Sequence, residues 1–137
     1  ALNVNVTFLA KHTLFWWPLG PILKKMGAIP IDRGHTHSTV QQLVDDFRTR
    51  DHLFLALAPE GTRKWQPYWK SGFYQVANKA GVPIVLAYID YRRKEMGIGI
   101  TIQPGDRDKD LVLMREFYRN ITPKRPANQG PVAFPPD

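Results

Sequence analysis

The chain has 137 residues, enough for one domain with a core of its own, and 43% of them are hydrophobic, which excludes a disordered polymer. Cysteine is absent, which excludes a disulfide framework and thiol chemistry. The 19 Lys and Arg outnumber 12 Asp and Glu, and this +7 charge suits an anionic partner: nucleic acid, an anionic membrane surface or a phosphorylated substrate.

No apolar run reaches the roughly 18 residues of a membrane-spanning helix. The chain opens on Ala1 rather than Met and passes directly into a strand pattern, so a preceding N-terminal part is expected. Val4, Val6 and Phe8 alternate within residues 3–11, which predicts a strand. Residues 12–26 are apolar and aromatic, with Leu14, Phe15, Trp16, Leu19, Ile22 and Leu23 on one helical stripe. Pro18, Gly20 and Pro21 interrupt it, so the expected helix is kinked or broken.

A short strand over Ala28–Ile31 follows, closed by Asp32, Arg33 and Gly34. Val40, Leu43, Val44 and Phe47 predict a helix from Thr39 to Arg50, with Ser38 as its N-cap. The continuous apolar run Leu53–Ala58 predicts a strand buried on both faces. Ser71–Ala80 is a short helix stopped by Gly81. Val82–Tyr91 and Gly97–Gln103 are further strands, the second marked by Ile98, Ile100 and Ile102. Leu111, Met114, Phe117 and Ile121 predict a last helix within residues 106–121, with acidic residues at its start. Strands alternating with helices indicate an α/β fold, a layered sheet of mixed strands flanked by helices. Residues 1–122 form the expected domain. Residues 123–137 carry five prolines and predict an irregular tail or loose wrap.

The chemistry concentrates at Pro59-Glu60-Gly61-Thr62-Arg63, directly after an apolar strand. One reading is a plain turn, with Gly61 permitting positive φ and Arg63 in a surface pair. The other is an anion cradle. Arg63 offers planar donors matched to phosphate, Thr62 a hydroxyl, and Gly61 backbone N–H groups open to a close ligand. Glu60 orients Arg63 or binds a sugar-like hydroxyl. Arg33, following another strand, converges on the same ligand. Such ligands sit beyond the carboxyl ends of strands in open α/β sheets.

Three blocks occur in order with matching spacing: GAIPIDR (Gly27 to Arg33), PEGTR (Pro59 to Arg63) and GVPIV (Gly81 to Val85). With the flanking stretches Phe8 to Gly20 and Trp69 to Tyr91, the chain resembles the glycerolipid acyltransferase family, of the 1-acyl-sn-glycerol-3-phosphate acyltransferase type, over roughly residues 6 to 105. The resemblance implies a glycerol-3-phosphate acyltransferase-like α/β fold. It implies transfer of an acyl group from a thioester donor, acyl-CoA or acyl carrier protein, to the free hydroxyl of a lysophospholipid in phospholipid biosynthesis. Arg33, Glu60, Gly61, Thr62 and Arg63 match the acceptor-phosphate-binding positions. Val82 and Pro83 lie in the block tied to packing or the donor. Leu86 stands where the family usually carries a second proline. No metal and no cofactor beyond the acyl-thioester co-substrate are implied.

The family's catalytic signature is H-x-x-x-x-D, a general base oriented by a carboxylate. Five residues beyond His12, His35, His37 and His52 stand Trp17, Val40, Gln42 and Leu57. No catalytic residue is therefore assigned within this chain. The His and Asp are expected upstream of Ala1, and the 137 residues alone are expected to be inactive. His35 and His37 read as a solvated loop, without the further ligands a metal site needs.

Phe15, Trp16 and Trp17 have two readings, core packing or an acyl groove dipping into the membrane interface, with Lys24 and Lys25 meeting anionic headgroups. The lipid acceptor implies peripheral contact with an anionic membrane at its cytoplasmic face. The alternative is a non-catalytic basic module holding anionic lipid or nucleic acid through Arg33, Arg63 and Lys70. Nucleic acid is the weaker partner, because the cations are dispersed and no recognised nucleic-acid motif is present.

Overall fold

The computed structural model describes residues 6–11, 19–31 and 36–136, in two compact units, Ala1–Ala58 and Pro59–Asp137. In the first unit, β1 (Val6–Lys11), β2 (Ala28–Ile31) and β3 (Phe54–Ala56) form a parallel sheet in the order β2-β1-β3. Phe8 pairs with Ala28, and Val6 with Phe54. Parallel neighbours need crossover connections. The first contains α1 (Leu19–Lys25) and the second α2 (Thr36–Thr49).

Pro21 sits in the first turn of α1, where a missing N–H costs nothing. Lys24 and Lys25 in its last turn complement the helix dipole. Residues 12–18, with Phe15, Trp16, Trp17 and Pro18, lie outside the described residues. Val40, Leu43 and Val44 are buried on one face of α2, as their spacing predicts. The helix starts at Thr36, so Ser38 lies inside its first turn and is not the N-cap.

The strand expected over Leu53–Ala58 is only three residues long and is not buried on both faces. Phe54 is 56% exposed and Leu57 39%. Among the described residues β3 stands at the edge of the sheet, hydrogen-bonded to β1 on one side alone.

The second unit pairs β4 (Ile84–Asp90) with β5 (Glu95–Ile102) as an antiparallel hairpin, accompanied by α3 (Gly72–Ala80) and α4 (Arg107–Tyr118). Trp69, Tyr74, Leu86, Ile102, Met114 and Phe134 form its core, with Met114 completely enclosed. Gly81 ends α3 in the left-handed conformation at φ 69°, its N–H donating to Asn78 O, while the Val82 N–H donates to Ala77 O. Asp106 caps α4 by accepting from the Lys109 N–H, and Asp108 and Asp110 occupy its first turn. Asp110 is buried, accepting from the Tyr74 hydroxyl at 2.6 Å and the Gly105 N–H at 3.1 Å.

A bulge interrupts the hairpin. Val85 pairs with Thr101 but Ala87 with Ile98, so two steps along β4 face three along β5. Ile102 is consequently buried at 4% exposure, while Ile98 on the far side of the bulge is 76% exposed. Gly97 and Gly99 leave room for the rings of Tyr88 and Phe117. A methyl group on Gly99 would lie 2.1 Å from a Phe117 ring carbon.

At the hairpin turn, buried Asp90 accepts from the N–H groups of Arg92 and Arg93, both at 2.9 Å, and from the Arg93 guanidinium at 3.0 Å. The Arg93 backbone bond is the main cause holding its carboxyl below the ordinary 3.8. The tail has one short 3-10 turn, Pro126–Asn128. It packs closely: Phe134 enters the core, and the Ala133 carbonyl accepts the Trp69 N–H at 2.7 Å. Helices and strands in two open sheets give the α/β class read from the sequence.

Candidate functional site

β3 ends at Ala56, and the second unit opens three residues later with Pro59. A turn begins at Pro59 and Glu60, and Gly61 follows at φ 65°, a left-handed conformation that side chains resist. A second constraint acts at the same residue. A methyl group on Gly61 would lie 3.0 Å from Lys70 Cε and 3.1 Å from Cδ. The Lys70 stem thus lies against the bare glycine.

Both ends of the turn are pinned. The Lys70 N–H donates to the Pro59 carbonyl at 2.8 Å, and Asn128 Nδ2 donates to the Arg63 carbonyl at 2.9 Å. Thr62 Oγ1 accepts from the Lys64 N–H at 3.2 Å, a local bond typical of turns, which leaves its own O–H to donate elsewhere. Glu60, Gly61, Thr62 and Arg63 are therefore held together as one loop.

The cations of this loop differ from several others in the chain. Arg50, Arg93, Lys109 and Arg119 are each engaged by a carboxylate. Arg63 and Lys70 are exposed and have no salt-bridge partner among the described residues. Glu60 is partly buried, and that burial raises its carboxyl above the usual range. It makes no ion pair with Arg63, so it does not orient that guanidinium by a salt bridge. The loop thus carries Thr62 and Arg63, is followed by the exposed Lys64, and has Lys70 lying over Gly61, a set of donor types suited to an oxyanion.

Val82 is half-buried and Pro83 exposed, between the end of α3 and the start of β4. Leu86 is a core residue, which accounts for an apolar side chain where the family pattern carries a proline. Asp32, Arg33 and His35 lie outside the described residues, and His52 is exposed in the segment before β3. Among the described residues no helix is long and apolar enough to cross a membrane. A surface depression of about 390 Å³ in the second unit is lined by residues including Arg115, Arg119 and Gly130, and by none from Pro59 to Lys64.

Asn128 was not legible as part of the site. It reaches Arg63 from 65 residues away, and no local pattern marks such a contact. Lys70 stood out in the sequence only as one cation among several. Its approach to Gly61 depends on the path of the chain from Lys64 to Trp69.

The family model described as Acyltransferase matches residues 1–90, a span that includes all three motif blocks. The chain belongs to the Acyltransferase family. No curated protein and no solved structure matches it. Acyl transfer is thus the general activity of this acyltransferase, and the PEGTR loop with its bound-back Lys70 lies inside the matched span.

Proposed function

We propose that this acyltransferase moves an acyl group from a thioester, acyl-CoA or acyl carrier protein, to the free hydroxyl of a lysophospholipid such as 1-acyl-glycerol-3-phosphate. The observation that carries this reading is the pinned loop Pro59–Arg63, which carries the exposed Arg63 without a salt-bridge partner among the described residues, with the Lys70 side chain lying over Gly61. A guanidinium and a hydroxyl on a fixed loop match a phosphate, and fixing them in advance lowers the ordering cost of binding. Arg33, Glu60, Gly61, Thr62 and Arg63 hold the acceptor phosphate in this reading, and Val82 and Pro83 serve packing or the donor. Peripheral contact with an anionic membrane at its cytoplasmic face follows from a lipid acceptor and the +7 charge.

The test is acyl transfer by the protein expressed from its complete coding sequence, with acceptor and donor varied separately. Arg63→Ala is expected to raise the acceptor KM about tenfold, the scale of one lost charge-assisted bond, and to leave the donor KM within about twofold. An unchanged acceptor KM and kcat/KM would refute the role of Arg63. Absence of transfer to any lysophospholipid would refute the substrate class.

A further inference from the structure

We infer that the outward face of the β4–β5 hairpin, with the cations at its turn, is the surface that this chain lays on an anionic lipid bilayer. The inference rests on the peripheral membrane contact proposed above and names the part of the molecule that makes it. It makes no use of the Pro59–Arg63 loop.

An antiparallel pair with helices on one side ordinarily turns polar residues to solvent on the other. This hairpin does not. Tyr74 of α3 and Met114 of α4 share the core with Leu86 and Ile102, and the Phe117 ring of α4 meets Tyr88 at 6.0 Å between centroids. Strand alternation turns the neighbours of those hairpin residues the other way. The outward pairs are Val85 with Thr101, Ala87 with Ile98, and Ile89 with Met96. Thr101 alone among them is polar, and all six are exposed, Met96 at 75% and Ile98 at 76%. A contiguous apolar face of this kind marks a surface that another body covers.

The charge beside this face decides what that body is. The turn at residues 91–94 carries Arg92, Arg93 and Lys94, and Lys124 Nζ stands 5.9 Å from the centre of the Tyr91 ring. Arg93 is taken by Asp90 and lies 3.6 Å from Glu95. Arg92, Lys94 and Lys124 are exposed and have no salt-bridge partner among the described residues. Asp90 and Glu95, the acids flanking the turn, pair in register one step beyond Ile89 and Met96, which puts them on the helix side. The outward pairs therefore carry no acid. A second copy laid face to face would bring aliphatic side chains but no countercharge for Arg92 and Lys94. Nucleic acid would bring phosphates but no apolar region for Ile89, Met96 and Ile98, none of which is a ring on which a base stacks. A bilayer of anionic lipids supplies both, phosphates at the headgroup level and an apolar region beneath. Tyr91, exposed between the cations and Ile89, has the amphipathic ring favoured at that boundary.

The chain has no cysteine, so Ile98→Cys gives a single thiol for an environment-sensitive fluorophore. The labelled chain is mixed with vesicles of phosphatidylglycerol and phosphatidylcholine, or of phosphatidylcholine alone. The expected result is water-like emission in buffer and a blue shift with the anionic vesicles only, weakened by added salt. The same label on Val112→Cys, exposed on α4, is expected not to shift. In vesicle co-sedimentation, Met96→Ser combined with Ile98→Ser is expected to weaken binding about tenfold. Arg92→Gln and Lys94→Asn are each expected to weaken it about fivefold. Asn is chosen because it tolerates the left-handed backbone that Lys94 adopts at φ 55°.

Shielded emission at position 98 before any vesicle is added overturns the inference, because protein then already covers the face. Tighter binding of an oligonucleotide than of anionic vesicles overturns it in favour of nucleic acid. An equal shift with phosphatidylcholine alone overturns the part given to the turn cations. If the doubly substituted serine variant binds anionic vesicles as wild type does, the surface is wrong and the membrane contact stands. If wild type binds no anionic vesicle, the membrane contact itself has failed, and the surface falls with it.

Discussion

Asn128 Nδ2 donates to the Arg63 carbonyl oxygen at 2.9 Å across 65 residues of sequence, so a residue of the proline-rich tail fixes the backbone of the Pro59–Arg63 loop. The bond leaves the Arg63 guanidinium free, because it uses the main chain. Asn128→Ala is expected to cost about 0.5–1.5 kcal/mol of stability, the usual net worth of one such bond. It is also expected to weaken sn-glycerol 3-phosphate binding a few-fold while leaving the charge of the loop intact. Titration of the ligand beside a urea unfolding curve checks both, and unchanged affinity would show that the loop holds its shape without Asn128.

Gly130 passes so close to Gln66 that a methyl group would lie 1.8 Å from the Gln66 carbonyl oxygen. That neighbour is main chain and has no rotamer to turn. Gly130→Ala is therefore expected to destabilise the second unit by at least about 1–3 kcal/mol, the cost of overpacking. Gly105→Ala is the control: no atom lies within 4 Å of the new methyl group, and its N–H bond to Asp110 survives. Its expected effect is within about 0.5 kcal/mol. Equal melting temperatures for the two variants would contradict the close approach.

Burial is the main cause lifting the Tyr74 phenol to about 12, followed by its hydrogen bond to Asp110. The folded value lies above the ordinary 10.0, so the fold favours the protonated phenol. That preference is fully present below pH 10 and is lost as pH rises through 10 towards 12. The stability of wild type is expected to fall over this window, and Tyr74→Phe is expected to flatten that fall. At neutral pH the variant costs about 1–3 kcal/mol, because buried Asp110 keeps only the Gly105 N–H of the two bonds. Chemical denaturation from pH 7 to 11.5 separates the two effects.

Asp90 shows the opposite sign. Its folded carboxyl titrates below the ordinary 3.8, chiefly through the Arg93 N–H, so its contribution is present above pH 3.8 and lost as pH falls through the folded value. Asp90→Asn is expected to speed hydrogen exchange at the Arg92 and Arg93 amides at pH 6, because a neutral amide accepts from them less strongly than a carboxylate. Unchanged exchange at both amides would show that the turn holds without the charge.

Local chemistry was the legible part of this chain. Gly81 reads as a helix stop and takes φ 69°. Asp106 begins the last helix and caps it. Val40, Leu43 and Val44 share a buried face as their spacing requires. What escaped depends on partners distant in sequence. The run Leu53–Ala58 has the composition of a doubly covered strand, but strand order among the described residues puts β3 at an edge. Ile98, Ile100 and Ile102 alternate as strand residues do, yet one extra residue in β5 places Ile98 outward and Ile102 inward. In the site, the residues from Glu60 to Arg63 announce themselves by type and order. The contacts of Lys70 and Asn128 with that loop arise from folding and leave no local signal.

The family match stops at residue 90, whereas the groups that brace its signature loop and core arrive near the other end of the chain. Asn128 holds the Arg63 carbonyl, the Ala133 carbonyl takes the Trp69 N–H, and Phe134 packs its ring against Tyr74. A fragment trimmed to the matched residues would keep every recognisable motif and lose this scaffolding. The residues that carry a recognisable signature and the residues that brace it are different sets, and in this acyltransferase Phe134 lies more than forty residues beyond the last matched position.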